Sequence, residues 1–193
     1  MKNWFRRQDK GEGIAHDLYV AAVAQARQPL FYVEYGVPDT VDGRFDLIIL
    51  HVYLFLRQLN QLALPDDGSA ESVQAAQLAQ SLFDIMFSDM DQSLREMGVS
   101  DISIGKRVKH MVRAFYGRAV AYDEGLTGPD TVLRDALERN LFGTVQPSQH
   151  QLAAMAKYIR QQADNLAKAS DQDTLAGNLK SVSYTHLTLP TKA

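Results

Sequence analysis

The side chains best suited to hold a metal or move a proton in this sequence are Asp89, Asp91 and Glu96, with His51 and His110 elsewhere along the chain. On a helix, Asp89 and Asp91 point about 200° apart, because each residue turns the chain by about 100°. An ion needs oxygens that converge on it, so the two carboxylates share none unless the helix breaks. A solvated acidic face with Arg95 beside it accounts for the same residues. His51 sits inside the apolar run Phe45 to Leu59, where a histidine bonded to its core neighbours is a simpler reading than a ligand or base. Nothing else supplies a reactive set. The sequence has no Cys, no Gly-x-x-x-x-Gly-Lys-Ser/Thr loop, no Gly-x-Ser-x-Gly elbow and no His-Glu-x-x-His or Glu-x-x-His pair. Gly11-Glu12-Gly13 lacks the third glycine and the preceding strand of a dinucleotide site. The expectation is a protein that is not an enzyme, with no catalytic, cofactor-binding or metal-binding residues.

Recognition by charge is a different matter. Between Ser103 and Tyr122 the chain carries Lys106, Arg107, Lys109, Arg113 and Arg118 and no acid. At helical spacing Ile104, Val108, Met111, Val112, Phe115, Tyr116, Ala119 and Tyr122 share one arc, and Lys106, Lys109, His110 and Arg113 fall on the opposite one. Ala114 and Gly117 on that outer side leave room for a close-approaching partner. Upstream, Asp84, Asp89, Asp91, Glu96 and Asp101 form an acidic stretch, so the net charge of -3 conceals two opposed patches. That net charge argues against a surface that grips nucleic acid as a whole, and DNA is not expected as a partner.

The elements that must position these residues are helical throughout. Turn signals divide the chain into about six helical segments. The first is expected from Gly13 to Gln28, stopped by Pro29, and the aromatic stretch Leu30 to Asp39 reads as an ordered loop or very short strand. Asp42 to Asn60 is apolar nearly all round, leaving narrow stripes to Asp46/Arg57 and His51/Gln58, which makes it the buried central helix. Leu64-Pro65-Asp66-Asp67-Gly68 ends it, Ser69 caps the next helix, and Gly98 terminates that one. Further helices are expected at Ser103 to Tyr122, Pro129 to Phe142 and Pro147 to Ala169. The fold class is all-α: a single compact domain of helices around that buried one.

With 193 residues, 46% of them hydrophobic and 22% charged, there is enough apolar material for one core. No run reaches the roughly 20 apolar residues of a membrane span. The start shows no apolar secretory segment, so the expected location is cytoplasmic. Residues 1–12 read as an N-terminal extension, 13–170 as the domain and 171–181 as a polar tail. Val182-Ser183-Tyr184-Thr185-His186-Leu187-Thr188-Leu189-Pro190-Thr191 back-translates to a sequence like a transposase-end library adapter, and 182–193 is expected to be read-through.

Several phrases in register resemble one family. They are Phe31-Tyr32-Val33-Glu34-Tyr35-Gly36-Val37-Pro38-Asp39-Thr40, Asp42-Gly43-Arg44-Phe45-Asp46-Leu47, and Leu50-His51-Val52. Asp89-Met90-Asp91, Leu94-Arg95-Glu96-Met97-Gly98, Gly105-Lys106-Arg107 and Phe115-Tyr116-Gly117-Arg118 follow in order. Together they resemble the ubiquinol-cytochrome c chaperone family over about Leu18 to Gly143. The resemblance implies an assembly factor for respiratory complex III that binds newly made cytochrome b or its assembly intermediates. It also implies a small partner protein and a place near the ribosome's exit tunnel. With no Arg-rich, acid-poor presequence, the chain looks like a bacterial relative, peripheral at the inner face of the membrane. Lys106, Arg107, Lys109, Arg113 and Arg118 are then the candidate contact for a partner, ribosome or anionic membrane. Arg44, Asp89, Asp91, Arg95 and Glu96 are the candidate client or partner surface. Two other classes remain: a helical adaptor unrelated to cytochrome b, and a metal- or haem-dependent helical enzyme using His51, His110 and Asp89.

Overall fold

The computed structural model describes residues 2–64 and 68–179, and these carry eight helices and no strand. They are α1 (Lys2–Ala26), α2 (Pro29–Val33), α3 (Val41–Ala63), α4 (Ala70–Glu96), α5 (Asp101–Thr127), α6 (Asp130–Asn140), α7 (Gln149–Ala167) and α8 (Asp171–Leu175). The class is all-α, as expected. The 182–193 segment and the turn residues 65–67 lie outside the described residues.

Helix α3 is the centre of the core. Every residue from Leu47 to Leu56 is buried, and α1, α4, α7 and α8 pack around it. Each fully buried Leu or Ile contributes about 1.5–3 kcal/mol relative to exposure, so this helix is the main apolar anchor of the fold. The two polar stripes foreseen on it are both used. Asp46 reaches Arg118 of α5 at 2.8 Å, while Tyr53 and Arg57 bond Asp123 of α5 at 2.7 and 3.0 Å. His51 lies in the core at 2.7 Å from the Leu47 carbonyl oxygen and 2.8 Å from the Tyr158 hydroxyl. A carbonyl only accepts, so Nδ1 carries the proton and Tyr158 donates to Nε2. Among the described residues no helix is long and apolar enough to cross a membrane.

Capping chemistry fixes several helix ends. Thr40 Oγ1 accepts from the Gly43 amide at 3.1 Å, and Ser69 caps α4 by accepting from Ser72. Ser148 and Gln151 form a reciprocal capping box on α7. Several boundaries depart from the sequence expectation. Helix α1 begins at Lys2 and not Gly13, since an exposed glycine costs a helix only about 1 kcal/mol. The stretch after Pro29 is the short helix α2, neither loop nor strand, because proline at its first position presets the helical φ. Pro129 stands at the N-cap of α6 and Pro147 before the Ser148 cap, each a step outside the first turn. Part of the expected polar tail forms α8, which buries Thr174 and Leu175, with Leu179 buried beyond it.

Candidate functional site

Helices α1, α2, α3 and α4 enclose a cleft of about 610 Å³. Val23 and Ala26 of α1, Arg27 just after it, Pro29, Tyr32 and Val33 of α2, Asp39 of the connection, Val41, Arg44, Phe45 and Ile48 of α3, and Asp89 and Ser93 of α4 line it. Its shape follows from local chemistry. The Tyr32 hydroxyl donates to the Ala26 carbonyl at 2.8 Å, tying α2 to an end of α1 whose carbonyls lack helical partners. Gly36, at φ +70, takes the left-handed conformation that turns the chain after α2. Gly43 lies against the Pro38 carbonyl so closely that a Cβ there would sit 2.2 Å from its oxygen. The backbone from α2 into α3 therefore folds as a tight corner, with Val33 and Val41 exposed on its rim.

The charged residues of the cleft are placed by partners. Arg44 Nε lies 2.6 Å from Asp39 Oδ1, both largely exposed at the rim. That pairing holds the Asp39 carboxyl below its ordinary range and the Arg44 guanidinium above its own. Asp89 accepts from the Tyr19 hydroxyl at 2.6 Å, linking α1 to α4, and burial together with this bond pushes the Tyr19 phenol up. Arg27, exposed at the end of α1, adds a cation to one wall.

The five residues expected to form one client surface divide. Arg44 and Asp89 come together in the cleft. Arg95, in contrast, bonds Asp91 at 2.7 Å and also pairs with Asp101, which braces the corner between α4 and α5, and Glu96 accepts from Gln92 at 3.0 Å. Those three lie outside the lining of the cleft.

On α5, Lys106, Lys109, His110 and Arg113 are exposed as the periodicity foresaw, and Arg107 is exposed as well. Arg118 is half-buried and turned onto Asp46 of α3, so it belongs to the interior and not to the outer face. Burial pushes the Asp46 carboxyl up to about 6, outweighing the pull of Arg118 in the opposite direction. Tyr116, expected on the apolar arc, is 58% exposed, with its ring 5.8 Å from Phe83. The constellation considered for a metal or haem enzyme does not assemble. His51 is in the core, His110 is on the outside of α5, and Asp89 is bonded to Tyr19. Among the described residues no three His, Cys, Asp or Glu side chains could hold a metal ion together.

Sequence reasoning found Arg44 and Asp89 but missed Val23, Arg27, Tyr32 and Ser93 as wall residues. The available signal was Pro29 directly behind the long first helix, which forces a corner there.

A protein-family model described as ubiquinol-cytochrome C chaperone matches residues 33–182. Ubiquinol-cytochrome-c reductase complex assembly factor 1 of Xenopus laevis is 26% identical over 158 residues, covering 82% of this chain and 74% of that protein. Its Mus musculus counterpart is 27% identical over 158 residues, and there the chain spans only 50% of the relative's length. The crystal structure of the Cbp3 homolog from Brucella abortus matches with a TM-score of 0.79 at 34% identity, over 94% of this chain and 96% of that one. The family match runs from the rim of the cleft through the central helix and the cationic helix, and the chain belongs to the ubiquinol-cytochrome C chaperone family.

Proposed function

We propose that this chain is an assembly chaperone for ubiquinol-cytochrome c reductase, acting by binding and not by catalysis, and that newly made cytochrome b or an intermediate containing it is the client. The relatives' names support the first part, since they are assembly factors of that reductase complex. The observation that carries the second is the cleft. Its walls include Tyr32, Val33, Asp39, Arg44, Phe45 and Asp89, which belong to the phrases that carry the family resemblance. Apolar walls with an ion pair at the rim suit a segment whose apolar side chains need cover until they are buried elsewhere. The chaperone works at the cytoplasmic face of the membrane that receives cytochrome b, and the exposed cations of α5 serve a small partner, the ribosome or the bilayer.

A photo-reactive amino acid at Val33 or Val41, on the cleft rim, tests this reading. In cells synthesising the reductase, both positions should give adducts that contain cytochrome b. The same probe at Val145, exposed but outside the cleft lining, should give none. Equal yields at all three positions, or adducts without cytochrome b, would contradict the client assignment. A general helical adaptor would give the second outcome.

A further inference from the structure

The outward side of α5 combines two features that seldom share one stripe of a soluble helix. Ile102 is 94% exposed, the most exposed large apolar side chain among the described residues. Turning about 100° per residue, Ile102, Lys106, Lys109, Arg113, Tyr116 and Val120 fall within one sector of about 80°. Val120 is 59% exposed at the far end. The stripe is about 27 Å long at 1.5 Å rise per residue. Among the described residues no acidic side chain forms an ion pair with Lys106, Lys109 or Arg113. The nearby acid Asp101 is already paired with Arg95, and exposed Glu124 lies one turn beyond Val120. Gly105 and Gly117 have open space where a Cβ would stand, so the backbone can approach a flat surface closely.

We propose that this stripe docks the chain on an anionic phospholipid bilayer, with α5 lying in the interface plane. Lys106, Lys109 and Arg113 face the headgroup phosphates, and Ile102 and Val120 dip below them at either end. Tyr116 lies at headgroup level, where its apolar ring and polar tip are both satisfied. Charge complementarity brings any polyanion to three unpaired cations. The apolar ends favour the bilayer over RNA, because a phosphate backbone has nothing to offer an exposed isoleucine, whereas a bilayer takes both parts of the pattern. The inference rests on the preceding reading only in placing the chain beside a membrane. Vesicle binding involves no component of the reductase, so either idea can fail alone.

The test is co-sedimentation of the full chain with phosphatidylcholine vesicles, with and without phosphatidylglycerol. Binding should require the anionic lipid and weaken as salt is raised. The triple variant Lys106→Gln, Lys109→Gln, Arg113→Gln should weaken it by about tenfold or more, since each cation near such a surface adds to its attraction for anionic headgroups. Ile102→Ser with Val120→Ser, which keeps every charge, should weaken it by about threefold to tenfold. All these side chains are exposed, so unchanged thermal midpoints verify that the variants fold. Absence of binding, equal binding to neutral vesicles, or indifference to either variant overturns the proposal. A triple variant that loses ribosomal RNA in a filter assay while keeping its vesicles would also overturn it, and would make the stripe an RNA surface.

Discussion

His51 shows how a residue with catalytic credentials becomes structural. Its two ring nitrogens are spent on Leu47 and Tyr158, and burial pulls its pKa down to about 4 from an ordinary 6.5. Between those values the unfolded chain takes up a proton that the folded chain refuses. Stability is therefore lost as pH falls from 6.5 toward 4, by up to about 1.4 kcal/mol per pH unit. Asp46 acts in the opposite sense. Its pKa is raised from 3.8 to about 6, so between those values the folded chain holds the extra proton and acid favours folding. In the native chain the two slopes oppose each other between about pH 4 and 6. Asp46→Asn removes one of them. Urea unfolding of that variant should lose stability through the window more steeply than the native chain, by about 1 kcal/mol per pH unit. A slope no steeper than native would contradict the raised Asp46 carboxyl, and a variant that lost no stability as the pH fell through this window would contradict a neutral, buried His51. The sequence made this histidine legible as a core residue from its apolar neighbours, but its partner Tyr158 is far along the chain, and no local pattern connects them.

At the level of elements, the corner between α2 and α3 decides whether the cleft exists. Alanine is the better helix former by about 1 kcal/mol, so Gly43→Ala would stabilise an isolated α3. Here the added Cβ meets the backbone oxygen of Pro38, which cannot swing aside as a side chain would. The variant should lose about 1–3 kcal/mol in denaturant unfolding and, with its rim displaced, give fewer client adducts from a probe at Val33. A variant as stable as native, with native adduct yields, would show that the corner is not needed. The long helices were legible because their apolar periodicity repeats over several turns, and Ser69 and Gly98 marked real ends. Helices α2 and α8 were not, since five residues are too few to display a period. Arg118 was misplaced for a related reason. A wheel drawn for one helix shows which way a side chain leaves the axis, but not that Asp46 of another helix waits beside it.

For the whole molecule, the cationic face was readable in advance because it belongs to one helix, whereas the cleft was not, because four helices and a connection build its walls. Arg44 and Asp89 were singled out separately and meet there only through the packing of α1, α3 and α4. The opposed charges also proved unequal in role. Much of the acidic stretch is consumed by internal bonds to Tyr19 and Arg95, while the exposed cations of α5 remain available to a partner. The central claim is that this architecture serves the making of ubiquinol-cytochrome c reductase. Its most direct test is to delete the gene in the organism that carries it and measure cytochrome b by immunoblot and by b-type haem absorbance in membranes. The account predicts that both fall, and that they recover when the native chain is supplied. Undiminished cytochrome b and reductase in the deletion strain would contradict it.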